Sequence, residues 1–416
     1  MRDNIKEELV AARVASRQLR QLTNDVRKDV LSEISRAIRS KIGTIITENK
    51  RDLERMDPSD PRYDRLSLDE SRINGLSTSI LEIASLPDPA SVLLSSKKLE
   101  NGLSIEKKTV PLGVVGVIYE SRPNVTVDVA ALCIRSANVC LLRGGSDAWF
   151  TNSILVSIIR EVLFKFDLDV NIVQLLPTDR AFVTELLLAV KYVDIIIPRG
   201  SQGLIDFVRE NAKVPVIETG AGVCHTYVES SADILQAARI VANAKISRPS
   251  VCNALDTVVV DASVRDEFLR ALSPNFQRAG VEVYADKRSY DTLGELAYPH
   301  LKQATESDFG REFLSLGCSI KVVDSFEEAL QHIEEHSSKH SECIVSDDPE
   351  KVSIFMESVD AAAVYHNAST RFTDGAEFGL GAEIGISTQK LHARGPFALE
   401  KLVTEKWYVN GTGQIR

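Results

Sequence analysis

The sequence predicts an α/β protein built around parallel sheets, and three features lead to that class. From Val114 onward, short β-branched runs alternate with helix-period segments, so strands and helices follow one another in turn. The carboxyl ends of the first five predicted strands open into small, polar or glycine-rich turns, where such sheets take their ligands. A chain of 416 residues also exceeds what one hydrophobic core serves, which points to two or three domains.

The elements follow in order. Residues 3–56 are expected to form two amphipathic helices, with Leu9, Val14, Leu19, Val26, Val30, Ile34 and Ile38 at helical spacing. A break near Leu22 makes Thr23 or Asn24 the cap of the second, and Met56 to Pro61 ends the stretch. Another helix runs from about 69 to 83 and stops before Pro87. Strands are then expected at 114–119, 139–142, 172–175, 193–197 and 214–217, separated by helices at 125–136, 151–162, 180–190 and 202–211. A second α/β stretch begins near Cys224. Its strands are expected at about 226–229, 257–260, 319–323, 342–345 and 362–366, with helices at about 232–244, 265–272, 325–335 and 349–359. Two outlying segments, 103–110 and 403–409, alternate polar and apolar residues and are expected either as edge strands of an arm that pairs with another subunit or as two ordinary edge strands.

Composition excludes several classes of function. Hydrophobic residues at 44% and charged residues at 26% are ordinary for a globular protein and rule out a collagen-like or wholly disordered chain. The balance of 49 Lys plus Arg against 59 Asp plus Glu gives a net charge of −10, which argues against nucleic-acid binding. No apolar run approaches the roughly 18 residues of a membrane span, and the polar, acidic opening from Met1 to Glu8 resembles neither a secretory nor a transit peptide. Six cysteines without paired spacing are expected to be reduced thiols in a cytoplasmic protein.

Several constellations carry chemistry. The G-x-G-x-x-G fingerprint and the P-loop are absent. Gly200, Ser201 and Gly203, after Pro198 and Arg199 and before a helix, are nonetheless suited to cradle a phosphate on backbone N–H groups. Arg143 and Ser146 follow a strand at the place where an NAD-binding sheet presents a carboxylate to the adenosine ribose; a cation and a hydroxyl there suit a 2′-phosphate, hence NADP(H). Cys133 and Cys140 are expected as small buried hydrophobes on an apolar helix. Cys252 differs, lying in a loop-like break among Pro249, Ser250 and Asn253 with Arg248 nearby to favour a thiolate nucleophile. His332 to His336 matches H-x-x-E-H, but no third ligand follows, and no metal is expected. His340, just before a second-domain strand, is expected to face the cleft.

With those residues in place, Glu218 to Gly222 (ETGAG) followed by Cys252 resembles the glutamate–glycine motif and catalytic cysteine of the aldehyde dehydrogenase superfamily. More narrowly, YESRPN at 119–124, LRGGSD at 142–147, PRGS at 198–201, RPSVCNA at 248–254, NASTRFTDG at 367–375, GAEIGIS at 381–387 and HARGP at 392–396 resemble the γ-glutamyl phosphate reductase family, in family order over nearly the whole chain. The resemblance implies an aldehyde-dehydrogenase-like fold. That fold comprises a Rossmann-type cofactor domain at 1–222 (with 101–111 in a small oligomerisation β-arm), an α/β catalytic domain at 223–385, and a C-terminal segment at 386–416 returning to the cofactor domain and the arm.

The activity implied is NADPH-dependent reduction of L-glutamyl 5-phosphate to L-glutamate 5-semialdehyde in proline biosynthesis, through a thioester on Cys252. Asn124 and the Cys252 N–H are expected to hold the oxyanion, and Glu218 to position groups or shuttle a proton. Arg371 is the first choice for an anionic group of the substrate and Arg122 the second, with Ser121, His225, His340 and Glu383 as further substrate contacts. A homo-oligomer, dimer or tetramer, is expected, together with functional association with the glutamate 5-kinase that makes the labile acyl phosphate. Two alternatives stand beside this reading: an oxidative aldehyde dehydrogenase of another substrate, and a thiol hydrolase or acyltransferase that uses no nicotinamide.

Overall fold

The computed structural model describes residues 4–60 and 62–416; Met1 to Asp3 and Pro61, at the two ends of the expected N-terminal helical stretch, lie outside the described residues. The chain divides into two compact units. Unit 1 comprises Met1–Thr219, Gly379–Gly385 and Pro396–Arg416, and unit 2 comprises Gly220–Phe378 and Ile386–Gly395. The expected boundaries at 222 and 385 thus fall at 219 and 378, and residues 386–395 belong with unit 2 instead of the returning segment.

Unit 1 begins with helices α1 (Lys6–Leu19), α2 (Asn24–Ser40), α3 (Ile42–Leu53), α4 (Tyr63–Leu66) and α5 (Glu70–Ser85). Thr23 caps α2 by accepting from the Val26 N–H, as its position before the periodic run predicts. Where two helices are expected there are three, because the helix breaks at Lys41. Strands β1 (Leu93–Lys98) and β2 (Ser104–Pro111) then form an antiparallel hairpin.

The core sheet follows: β3 (Val114–Tyr119), helix α6 (Pro123–Arg135), β4 (Val139–Arg143), α7 (Trp149–Lys165), β5 (Val173–Leu175), α8 (Arg180–Leu188), β6 (Ile195–Arg199) and α9 (Gln202–Asn211). Its four strands are parallel in the order β5-β4-β3-β6, with Val115 between Cys140 and Ile195. Every residue of β3 is buried, as a continuous apolar run in a covered parallel sheet must be. The fifth strand expected at 214–217 is reduced to a single bridge between Ile196 and Val216. Pro215 carries no N–H, so the ladder cannot extend through it. Cys133 lies on α6, but Cys140 is on β4 and not on a helix; both are fully buried.

Unit 2 continues with β7 (Cys224–Val228), α10 (Ile234–Ile246), β8 (Leu255–Asp261), α11 (Arg265–Ala279), β9 (Glu282–Ala285), α12 (Lys287–Glu295), β10 (Leu301–Gln303), β11 (Gly317–Val323), α13 (Phe326–His336), β12 (Ser341–Val345), α14 (Pro349–Ser358) and β13 (Ala363–His366). Seven parallel strands pair in the order β10-β9-β11-β8-β7-β12-β13. Successive side chains feed opposite faces: Val228, Val258 and Val260 pack with α10 and α11, while Tyr227 and Val259 pack with Phe326, Ala329 and Ile333 of α13 and Phe355 of α14. Asp233, Asp286, Ser325 and Asp348 cap α10, α12, α13 and α14 through their side chains. Strands β9 and β10 are absent from the sequence expectation, being only four and three residues long.

The chain crosses between the units along the short strands β14 (Glu383–Ser387) and β15 (Gly395–Ala398) and ends in β16 (Val403–Asn410), which pairs antiparallel with β2 from Val403 opposite Pro111 to Asn410 opposite Ser104. The resulting three-stranded sheet β1-β2-β16 leaves Leu93, Leu94, Trp407, Tyr408 and Val409 exposed.

One buried acid ties the helical region to the sheet region of unit 1. Asp52 of α3 is fully buried and accepts from the N–H groups of Phe150 (3.2 Å) and Thr151 (2.7 Å) and from the Thr151 hydroxyl (2.6 Å). It supplies from a distant element the cap that α7 lacks on its own chain. Asp52→Ala should therefore lower the unfolding free energy by about 2 kcal/mol or more, since three donors lose one charged acceptor. Urea unfolding measures this, and an unchanged midpoint would remove Asp52 from the account of α7.

Candidate active site

Each unit brings together its own set of the expected residues. In unit 1 they gather at the carboxyl ends of β3, β4 and β6. The turn after β3 holds Glu120, Ser121 and Arg122, and Asn124 stands exposed on the first turn of α6, its amide 3.5 Å from the Asp128 carboxylate. Ser121 has a φ of 39°, a left-handed conformation that costs a serine about 1 kcal/mol or more. Its buried hydroxyl is hydrogen-bonded to Asp147.

The glycine turns admit close approach. A Cβ on Gly144 would stand 2.4 Å from the Asn152 amide, and one on Gly200 would stand 2.5 Å from the Glu120 carboxylate. The Gly200–Gly203 turn does open α9, but the Ser201 N–H donates to Glu120 at 2.8 Å. The cradle expected for a phosphate therefore holds a carboxylate of the chain itself, because a helix N-terminus draws whichever anion is near.

Arg143 at the end of β4 donates through Nη2 to the Thr178 carbonyl at 2.7 Å. Its Nε is buried with no hydrogen-bond partner among the described residues. Burial and then repulsion by Arg180 push its pKa down, so an anion brought to this guanidinium would relieve both. Ser146 is exposed in the turn beyond it. Pro198 offers its carbonyl to the Thr219 hydroxyl at 2.8 Å, Arg199 closes β6, and Glu383 opens β14. Glu218 is gripped by Arg209, whose Nε and Nη2 lie 2.8 and 2.6 Å from one carboxylate oxygen. The pair raises the Arg209 pKa.

In unit 2 the candidate nucleophile lies in the loop between α10 and β8. None of the six cysteines is in a disulfide; Cys252 is half-buried and the other five are buried. Burial pushes the thiols of Cys318 and Cys343 up to about 12, leaving them inert. The Cys252 peptide packs directly on Gly222, where a Cβ would stand 1.7 Å from the Cys252 carbonyl oxygen and 2.7 Å from its Cα. The Gly222 N–H donates to Glu312 at 2.9 Å.

Arg371, in the short turn Thr370–Phe372, donates to the Asn253 side chain and, through Nε at 3.3 Å, to Ser247. Asn253 returns its amide to the carbonyls of Arg371 (3.2 Å) and Thr373 (2.9 Å), clamping that turn to the cysteine loop. The guanidinium pKa is lowered by burial and by Arg248, while attraction from Asp374 and from Cys252 opposes this. Cys252 thus has cationic neighbours, the setting that favours thiolate.

His225 and His340 sit elsewhere than expected. Both are fully buried. His225, inside the central strand β7, pairs through Nδ1 with Glu342 at 3.0 Å, and His340 meets the Ser341 hydroxyl at 2.8 Å. With no surface to offer a substrate, both leave the list of substrate contacts. His332 and His336 stack on one another with centroids 4.6 Å apart, and burial first holds the His332 imidazole down near 2. Among the described residues no group of three or more His, Cys, Asp or Glu could hold a metal ion.

Sequence reasoning passes over Asn253, Glu312 and Cys224, which act through the backbone; only the adjacent glycines of 218–222 signal a close approach.

A model of the aldehyde dehydrogenase family matches residues 1–290. The γ-glutamyl phosphate reductase of Chlorobaculum parvum is 52% identical over 414 residues, covering 99% of this chain and 98% of that one. This chain belongs to the γ-glutamyl phosphate reductase family. The γ-glutamyl phosphate reductase of Bacteroides fragilis is 50% identical over 415 residues, 99% and 100% covered. The crystal structure of the γ-glutamyl phosphate reductase of Thermotoga maritima superposes with a TM-score of 0.95 at 40% identity, covering all of both chains. An acetylating aldehyde dehydrogenase of Geobacillus thermoglucosidasius shares the fold, with a TM-score of 0.72 at 15% identity over 99% and 97% of the two chains. The chain therefore has the aldehyde-dehydrogenase-like fold and is an oxidoreductase, and its family implies a nicotinamide cofactor. No described helix is long and apolar enough to cross a membrane.

Within this γ-glutamyl phosphate reductase framework, Gly222→Ala should force the Cys252 loop to shift by more than about 1 Å, lowering kcat roughly a hundredfold. Steady-state kinetics on the folded variant checks this, and near-normal turnover would show that the contact does not hold the loop.

Proposed function

We propose that this chain catalyses the NADPH-dependent reduction of L-glutamyl 5-phosphate to L-glutamate 5-semialdehyde, releasing phosphate, in proline biosynthesis. The observation that carries the reading is Cys252: one half-exposed thiol among five buried ones, in a loop clamped to the turn that bears Arg371. The names of its full-length relatives supply the substrate class.

The Cys252 thiolate attacks the acyl carbon of the mixed anhydride; a C–S bond forms, the C–O bond to phosphate breaks, and phosphate departs with the electron pair. The Cys252 N–H and the Asn124 carboxamide are the proposed donors to the oxyanion. Arg371, with a planar fork that matches a carboxylate, is the proposed anchor for an anionic group of the substrate, with Arg122 as second anchor. When bound, reduced nicotinamide supplies the hydride for the thioester carbon. Release of the aldehyde breaks the C–S bond and returns the sulfur as thiolate. Arg143, with its unpartnered Nε and its neighbour Arg180, fits the 2′-phosphate that distinguishes NADP(H).

Glu218 bears on the direction of reaction. Its carboxylate is held in a charge-assisted pair with Arg209, which suits a positioning role in an enzyme whose thioester must be reduced before it hydrolyses. The exposed apolar residues of the β1-β2-β16 sheet suit an oligomerisation arm, in a dimer or tetramer.

Cys252→Ala should abolish phosphate- or arsenate-dependent NADP⁺ reduction by the semialdehyde while NADPH binding remains measurable by fluorescence. Retained turnover would eliminate the thioester route. Arg143→Glu should shift the ratio of kcat/KM from NADPH towards NADH by about two orders of magnitude, as loss of a charge-assisted bond and gain of a repulsion require. An unchanged ratio in coupled assays would refute the 2′-phosphate assignment.

A further inference from the structure

The peptide joining Cys252 to Asn253 belongs to no helix or strand, so side chains must hold it. One set has been described: Gly222 lies against the Cys252 carbonyl and Asn253 grips the 370–373 turn. A second runs behind the loop, away from solvent. The Cys224 thiol, at the first residue of β7, donates to the Cys252 carbonyl oxygen at 3.3 Å. The same sulfur lies 3.8 Å from His340 Nδ1, and Nδ1 lies 2.8 Å from the Ser341 hydroxyl. Ser341 Oγ is 2.6 Å from Thr373 Oγ1, which is 2.7 Å from the Tyr365 hydroxyl. The Thr373 carbonyl accepts from the Asn253 amide, so a chain that starts on the carbonyl of residue 252 returns to the side chain of residue 253. Cys224, His340, Ser341 and Thr373 are fully buried, and Asn253 is nearly so.

We propose that Cys224, His340, Ser341 and Thr373 form a closed positioning network that fixes the Cys252–Asn253 peptide and so sets the direction in which the Cys252 sulfur points, with Cys224 as its contact residue. This rests on the reading of Cys252 as nucleophile. The chemistry of each member fits the task. A carbonyl can only accept, so Cys224 must keep its proton. Burial first, and then the charges of Glu342 and Asp256, push its pKa well above the ordinary thiol value. Burial likewise holds Tyr365 protonated, up to about 12. One proton order carries the whole run: with the proton of His340 on Nδ1, that N–H is shared between the Cys224 sulfur and the Ser341 hydroxyl, Ser341 donates to Thr373, and Thr373 to Tyr365. Rotation of the 252–253 peptide would break bonds at both its ends, leaving buried donors and acceptors without partners.

Cys224→Ala removes one proton donor and little volume, and Cys224→Ser restores an O–H. Three readouts apply: melting temperature, kcat and KM in both cofactor directions, and the rate at which iodoacetamide alkylates Cys252 at fixed pH, followed by peptide mass. The expected result for Cys224→Ala is a melting temperature within a few degrees of wild type, kcat down roughly tenfold with KM changed less than about twofold, an altered Cys252 alkylation rate, and partial recovery of both in Cys224→Ser. Unchanged kcat and alkylation in Cys224→Ala would overturn the proposal, and so would a parallel fall of melting temperature and kcat that serine does not repair. If Cys224→Ala does not fold, Thr373→Val cuts the network at its far end and is judged by the same outcomes. Alkylation is read without turnover, so failure of the network is distinguishable from failure of the nucleophile reading, which Cys252→Ala tests separately.

Discussion

Two stretches of backbone, 221–223 and 251–253, lie in direct contact, and the Cys252 loop of unit 2 is built outward from that contact. Because no side chain separates Gly222 from the Cys252 peptide, the loop has one floor at fixed depth. Everything else at the site adds lateral restraint: Glu312 holds the floor through the Gly222 N–H, and Asn253 ties the roof to the turn bearing Arg371. A nucleophile on a loop is then as well fixed as one on a strand, which an attack along a defined trajectory requires.

Unit 1 manages charge where unit 2 manages position. Its strand ends gather Glu120, Asp147, Arg143 and Arg180 within mutual electrostatic reach. At the α9 N-terminus the Ser201 N–H is taken by Glu120, while Arg143 keeps a buried Nε without a partner among the described residues. Two guanidinium groups, Arg143 and Arg180, thus stand close together among carboxylates in a protein of net charge −10.

The fold was most legible in the two main sheets, where strands are buried on both faces; the short buried strands β14 and β15 escaped. β3, β4, β7, β8, β11 and β12 announce themselves as β-branched runs because a covered parallel strand admits little else. β1 and β10 do not, since an exposed strand such as Leu93–Lys98 has no apolar face to betray its period. That Cys252 is less buried than the other cysteines was legible because polar neighbours around a thiol break the rule for core cysteines. The two histidines misled for a related reason: His225 and His340 carry a chemistry-bearing side chain into the sheet interior, where only the tertiary pairing with Glu342 and Ser341 accommodates it. Glu120 at the α9 N-terminus was invisible for want of any local signal, its partner lying 81 residues away.

The strand order of the arm has a consequence for how the polypeptide is made. β2 emerges from the ribosome long before β16, its partner on one side, and unit 1 cannot close until the last residues are synthesised. At about 5–20 residues per second the intervening roughly 300 residues take on the order of 15–60 s. Throughout that interval the β2 edge is an open template for other chains. Lys107 and Lys108, charged residues in the middle of that strand, guard it while its partner is still being translated.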